Sequence, residues 1–150
     1  MVEAAGLELQ IEAERDRIAL TDQVILSVRL TNRSLEALTI CERFLVNDSS
    51  APERARDLSF EIVGPPGYIS SYVFHVNAGA PKPEQFLELK PEESVTKRVD
   101  LTEYYSLHHP GTYRLRGTYL NATRVDAFGR AAWVGRVGSN WAEFNRVASA

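Results

Sequence analysis

Apolar residues that alternate one for one with polar residues, in short runs, dominate this chain. An extended backbone turns successive side chains to opposite faces, so each such run has one face for a core and one for water. Leu7, Leu9, Ile11 and Ala13 alternate with Glu8, Gln10, Glu12 and Glu14. Val24, Leu26, Val28 and Leu30 alternate with Ile25, Ser27, Arg29 and Thr31. No stretch longer than about ten residues carries a strong helical period. The expected fold class is therefore all-β.

Turn-forming residues divide the runs. Arg15-Asp16-Arg17 is a polar break, and Asn32-Arg33-Ser34 supplies a turn. Leu38 and Ile40 open a third strand that includes Cys41, and residues 47–57 read as a loop. Leu58, Phe60 and Ile62 form the inward face of the next strand, which Gly64-Pro65-Pro66-Gly67 ends. Tyr72, Phe74 and Val76 alternate again, and Ala80-Pro81-Lys82-Pro83 is a stiff linker. Phe86 to Leu89 and Ser94 to Leu101 are short strands around Lys90-Pro91-Glu92-Glu93. Tyr104-Tyr105-Ser106-Leu107 reads as one helical turn at a crossover. Tyr113, Leu115, Gly117 and Tyr119 share one face of a late strand, with Thr112, Arg114, Arg116 and Thr118 on the other. A return strand runs from Trp133 to Phe144. Val137 and Phe144 differ in parity, so a bulge or bend is expected between them.

Seven to nine such strands predict an immunoglobulin-like antiparallel β-sandwich with Greek-key connections, rather than a barrel or jelly roll. The deciding feature is Pro110-Gly111-Thr112-Tyr113. In that fold a tyrosine just inside a late strand hydrogen-bonds upstream backbone and pins the corner. Leu115 stands where an antibody domain has its second cysteine. A single domain over residues 1–150 is expected, with its ordered core at about 7–147; a chain of this length buries roughly two thirds of its unfolded surface. Cys41 is the one cysteine, so packing holds the fold without an internal disulfide. A cysteine-based zinc site is excluded too, and Cys41 reads as a small buried hydrophobe.

A resemblance appears in Phe86 to Val95, Val99 to Leu107 and Pro110 to Tyr113. Leu30-Thr-Asn-Arg-Ser34, Leu38-Thr-Ile40 and Trp133 to Asn140 agree with it. These segments resemble the immunoglobulin-like domain that precedes the catalytic domain in bacterial deuterolysin-type metallopeptidases. Similar phrases occur in the bacterial intracellular proteinase inhibitor family. The resemblance spans residues 7–147 and is specific over 86–119. It implies the sandwich fold and an accessory role. The peptidases' His-Glu-x-x-His helix has no counterpart, because none of His75, His108 and His109 begins such a motif.

Composition narrows the function classes. At 44% apolar and 25% charged residues the chain is globular, and its apolar runs are too short for a transmembrane helix. A formal net charge of −3 argues against nucleic acid as a partner. The charge is uneven: residues 111–150 hold six arginines against Asp126 and Glu143, a local +4, which leaves −7 on residues 1–110. That asymmetry favours an acidic partner at one end. The first residues show no signal peptide. An extracytoplasmic location of a mature chain is favoured over a cytoplasmic one.

No nucleotide-binding loop, nucleophile elbow or dinucleotide fingerprint is present, and no cofactor is expected. His108 and His109 read as exposed turn residues rather than metal ligands. Arg114, Arg116 and Arg136 are expected on one outer face, as a basic stripe or as a solvated face balanced by carboxylates. Phe128, flanked by Arg124 and Arg130, is the candidate anchor of a partner-reading loop at residues 121–131; packing against the domain is its alternative role. Tyr68, Tyr72, Tyr104, Tyr105, Trp133 and Trp141 are expected as core or rim rather than a sugar platform. The sequons at Asn32, Asn47 and Asn121 read as accidental. The resulting expectation is a non-enzymatic accessory module that binds a protein or peptide. A proteinase inhibitor or peptidase-associated domain is the first alternative, and a carbohydrate-binding module the second.

Overall fold

The computed structural model describes residues 6–47, 57–73, 81–122 and 131–149. It is all-β. The strands are β1 (Leu7–Ala13), β2 (Arg17–Ala19), β3 (Ile25–Asn32), β4 (Leu38–Cys41), β5 (Val46–Asn47), β6 (Asp57–Val63), β7 (Phe86–Leu89), β8 (Ser94–Asp100), β9 (Gly111–Asn121) and β10 (Gly135–Val147). The large sheet has the order β5-β6-β9-β10-β1-β3-β8, with β2 also against β10, and β4 and β7 form a second small sheet.

The large sheet is mixed. β1 and β2 run parallel to β10, and β5 runs parallel to β6, where the sequence led us to expect antiparallel pairing throughout. β2 and β5 are the two strands the alternation does not announce, because three and two residues are too few to show a period. Tyr72 makes only an isolated bridge to Tyr105, and its hydroxyl is spent on the Val46 carbonyl. The expected helical turn lies earlier, as a 3-10 turn at Leu101–Glu103, because the Asp100 carboxylate accepts the Thr102 N–H and starts the turn at the end of β8.

Alternate side chains meet in one core. Leu26 from β3, Phe60 from β6, Leu115 from β9 and Val137 from β10 belong to a single buried cluster, together with Leu9 of β1. The parity change expected in β10 is present: its register with β9 shifts between Gly138 and Trp141, and Val137 and Phe144 are both buried.

Three polar contacts pin the connections. The Tyr113 hydroxyl donates to the His109 carbonyl at 2.7 Å, the upstream corner bond that its position implies. Its ring stacks on Phe144. Arg146, almost wholly buried, donates to the carbonyls of Leu107, Asp22 and Leu20 at 2.8–3.0 Å. Three carbonyls from two loops share one cation, which burial alone would penalise, and burial does lower its pKa. Arg43 holds Asp57 through both carboxylate oxygens at 2.8 and 2.9 Å.

Burial pushes the Tyr113 hydroxyl up to about 12 from its ordinary 10. The fold thus favours the neutral phenol: stability is intact below pH 10 and falls as pH rises toward about 12. Tyr113→Phe is expected to cost about 1 kcal/mol at neutral pH through the lost corner bond. It should also show a smaller alkaline loss than the wild type, because the phenol at position 113 is gone, and the remaining loss comes from the Tyr119 hydroxyl, which burial raises as well. Urea midpoints measured against pH check both effects.

Candidate functional site

The late strands carry the richest outward chemistry, and a local irregularity sets which side chains they show. Up to Gly138, β10 keeps register with β9; after one extra residue it resumes with Trp141 opposite Arg116 and Glu143 opposite Arg114. Ser139 and Asn140 fill the gap. The Ser139 hydroxyl accepts the Gly117 N–H at 2.8 Å and donates to the Asn140 carbonyl. The Asn140 amide accepts the Ile11 N–H at 2.9 Å and donates to the Ile11 carbonyl at 3.0 Å. These bonds replace the ladder that a bulge interrupts. Their consequence is that the indole of Trp141 faces outward.

On that face Trp141 lies beside two guanidinium groups. The Arg114 and Arg116 central carbons are 4.8 and 5.0 Å from its ring centroid. Arg116 also pairs with Glu61 of β6 at 3.0 Å, and Arg114 stands 4.0 Å from Glu143. All four charged side chains are more than half exposed. Solvent screens such pairs to at most about 1 kcal/mol each, and the cation–π contacts add about as much. The cluster therefore arranges the surface more than it stabilises the fold. Trp141 is 39% exposed and Val63, opposite Arg114, is 50% exposed. Next to them Gln10, Glu12, Ser27, Arg29 and Asn140 line a polar groove of about 400 Å³.

The structure brings Arg114 and Arg116 together on the outer face. Arg136 is exposed on the same side but opposite Leu120, about 13 Å along β9 from Arg116 at ordinary strand rise. The two arginines beside Trp141 are matched by two glutamates, so this part of the face is charge-balanced rather than a basic stripe. Phe128, Arg124 and Arg130 lie outside the described residues. Sequence reasoning assigned Trp141 to core or rim and overlooked Glu61, Glu143 and Val63. The parity difference between Val137 and Phe144 announced a bend between them but not its place; the structure sets it before Trp141, which turns that indole outward.

The other candidates take structural places. The His109 ring stacks on Tyr68, and no group of three metal-ligating side chains occurs among the described residues. Cys41 is buried, and burial pushes its thiol up, away from nucleophilic use. Tyr105 and Trp133 are core residues, so among the described residues Trp141 is the exposed large aromatic. Asn32 and Asn121 are buried, their amides donating to backbone carbonyls, which removes two of the three sequons from reach of any glycan. No described helix is long and apolar enough to cross a membrane.

Comparison with known proteins finds no family model that matches this chain and no curated protein that matches it.

Trp133 is 7% exposed, in contrast to Trp141. Trp141→Phe should therefore remove most of the acrylamide-quenchable tryptophan fluorescence and leave a blue-shifted remainder. Asn140→Ala, which strands two backbone groups of Ile11, should lower stability by about 1–3 kcal/mol in urea unfolding.

Proposed function

We propose that this chain is a non-catalytic protein-binding module of immunoglobulin-like organisation, and that it contacts its partner through the face centred on Trp141. Several features support the frame. β1, β3 and β8 form one flank, and β6, β9 and β10 the other, with β1 and β2 lying parallel against β10. Tyr113 makes the corner bond associated with such domains.

The observation that carries the functional reading is the indole of Trp141 held half-open beside two arginines, with Val63 two positions along the neighbouring strand from Glu61. Tryptophan and arginine dominate the energetic centres of protein interfaces, and a rim of screened charges suits the water-excluding ring around them. The fitting partner is a polypeptide segment with one apolar side chain for the indole and Val63, and one carboxylate able to displace Glu61 or Glu143 from its arginine.

The proteinase-inhibitor reading has one observation in its favour. Arg43 and the Leu45 N–H both hold the Asp57 carboxylate, which clamps together the two ends of the segment 47–57. A stiffened base of this kind is what a protease-resistant binding loop needs.

Selection of a random displayed-peptide library on the immobilised protein tests the main reading. The expected ligands combine acidic and apolar residues, and Trp141→Ala should weaken them at least tenfold, or 1.4 kcal/mol. Its melting temperature should move by only a few degrees, about the shift of a 1 kcal/mol change in a domain of this size. Ligands that bind Trp141→Ala undiminished would remove the site. Tight inhibition across a protease panel, unaffected by Trp141→Ala, would transfer the function to the 47–57 segment.

A further inference from the structure

The polar groove beside the Trp141 face has a chemistry of its own. It measures about 400 Å³ and lies on the outer side of β1 and β3, with Asn140 of β10 at its margin. Strand pairing sets its layout: Gln10 stands directly opposite Arg29, and Glu12 directly opposite Ser27. Side chains opposed across two strands start about 5 Å apart, and alternate residues along one strand about 7 Å apart. Four hydrogen-bonding side chains thus mark the corners of a small rectangle. Among the described residues Gln10, Glu12 and Ser27 make no side-chain hydrogen bond. Arg29 reaches Ser94 through Nε alone, at 3.5 Å, which leaves the donors of its two terminal nitrogens. The Asn140 amide is the fixed member. Its N–H groups are spent on the Ile11 and Trp141 carbonyls, and its oxygen, which takes the Ile11 N–H, keeps one further lone pair.

We infer that this groove binds a short neutral oligosaccharide, at a site separate from the protein-binding face. Three observations select that class of ligand. The first is the lining: Ile11 is its one apolar residue and is only 3% exposed, so an apolar side chain or an acyl chain has nothing to pack against. The second is the charge of the surrounding face. Glu8, Glu12, Glu14 and Asp100 stand against Arg29 and Arg98 on its outward side. Arg98 holds both Glu14 carboxylate oxygens, at 2.6 and 3.0 Å, and Arg33 holds Glu8. Such a mixture gives no advantage to a phosphate, a sulfate or a polycation. The third is the order of hydrogen-bonding capacity around the rectangle. Arg29 donates, Glu12 accepts, and Gln10 and Ser27 do both. A ligand that only donates or only accepts would leave part of this set unpaired. Sugar hydroxyls donate and accept at once, and neighbouring hydroxyls suit the forked ends of guanidinium, amide and carboxylate. No aromatic ring lines the groove, so recognition rests on hydrogen bonds, many of them shared with water.

The probe is an array that carries neutral glycans beside sulfated and uronic-acid glycans, followed by titration of the best neutral oligosaccharide into isotope-labelled protein. Neutral glycans should bind in preference to the anionic ones. Amide shifts should centre on residues 10–12, 27–29 and 140. Gln10 and Arg29 are exposed, so Gln10→Ala and Arg29→Ala should keep the wild-type melt, and each should weaken the oligosaccharide at least tenfold. If one of the two melts early, the other carries the test. Trp141→Ala should bind the oligosaccharide unchanged, and peptides selected on the Trp141 face should bind Gln10→Ala unchanged, so that failure of one site is read apart from failure of the other. The inference is overturned if no neutral glycan binds, if an anionic glycan binds more tightly, or if the shifts map elsewhere. It is also overturned if binding survives both groove variants or is lost in Trp141→Ala. Shifts at these residues that grow with protein concentration in the absence of sugar would overturn it too, since the groove is then a contact between two copies.

Discussion

Between β10 and β1 the large sheet is joined by a side chain as much as by a ladder. The two strands share one parallel register pair, Leu9 with Ser139, and beside it the amide of Asn140 gives and takes a hydrogen bond with the backbone of Ile11. An asparagine amide has the same donor and acceptor as a peptide group, so it completes a strand edge where the backbone has been displaced by an extra residue. Both flanks of the core depend on this join. With it, Val137 and Phe144 both reach the interior although seven positions separate them, and Trp141 is turned outward between two arginines.

The arrangement also redistributes charge. Six arginines in residues 111–150 look like a basic end of the molecule when only the sequence is considered. Arg146 is instead a buried staple for three carbonyls, and Arg114 and Arg116 face Glu143 and Glu61. On the other flank Arg29 and Arg98 share their outward face with Glu12, Glu14 and Asp100, so that surface is mixed in charge as well. Surface electrostatics followed from strand neighbours rather than from the linear count.

What was legible in the sequence was whatever depends on near neighbours along the chain. Alternation in Leu7 to Ala13 and in Tyr113 to Tyr119 marked strands and their inward faces, because one strand's pleat is a local property. The corner tyrosine and the parity change in β10 were readable for the same reason. β2 and β5 were not, since each is held by a partner distant in sequence and shows no period of its own. The carboxylate that balances Arg116 comes from β6, 55 residues away, and the spacing of Arg136 from Arg116 depends on how β10 is registered against β9. Cross-strand register is a tertiary property that a single strand's pattern does not encode.

The most direct test of this account is the register of β9 against β10 on the far side of the irregularity, measured by cross-strand backbone NOEs in isotope-labelled protein. The account predicts contacts that set Trp141 opposite Arg116 and Glu143 opposite Arg114, with the Asn140 side-chain amide protons close to Ile11. A register that continues unshifted from Gly138 and Thr118, placing Trp141 opposite Leu115, would contradict it.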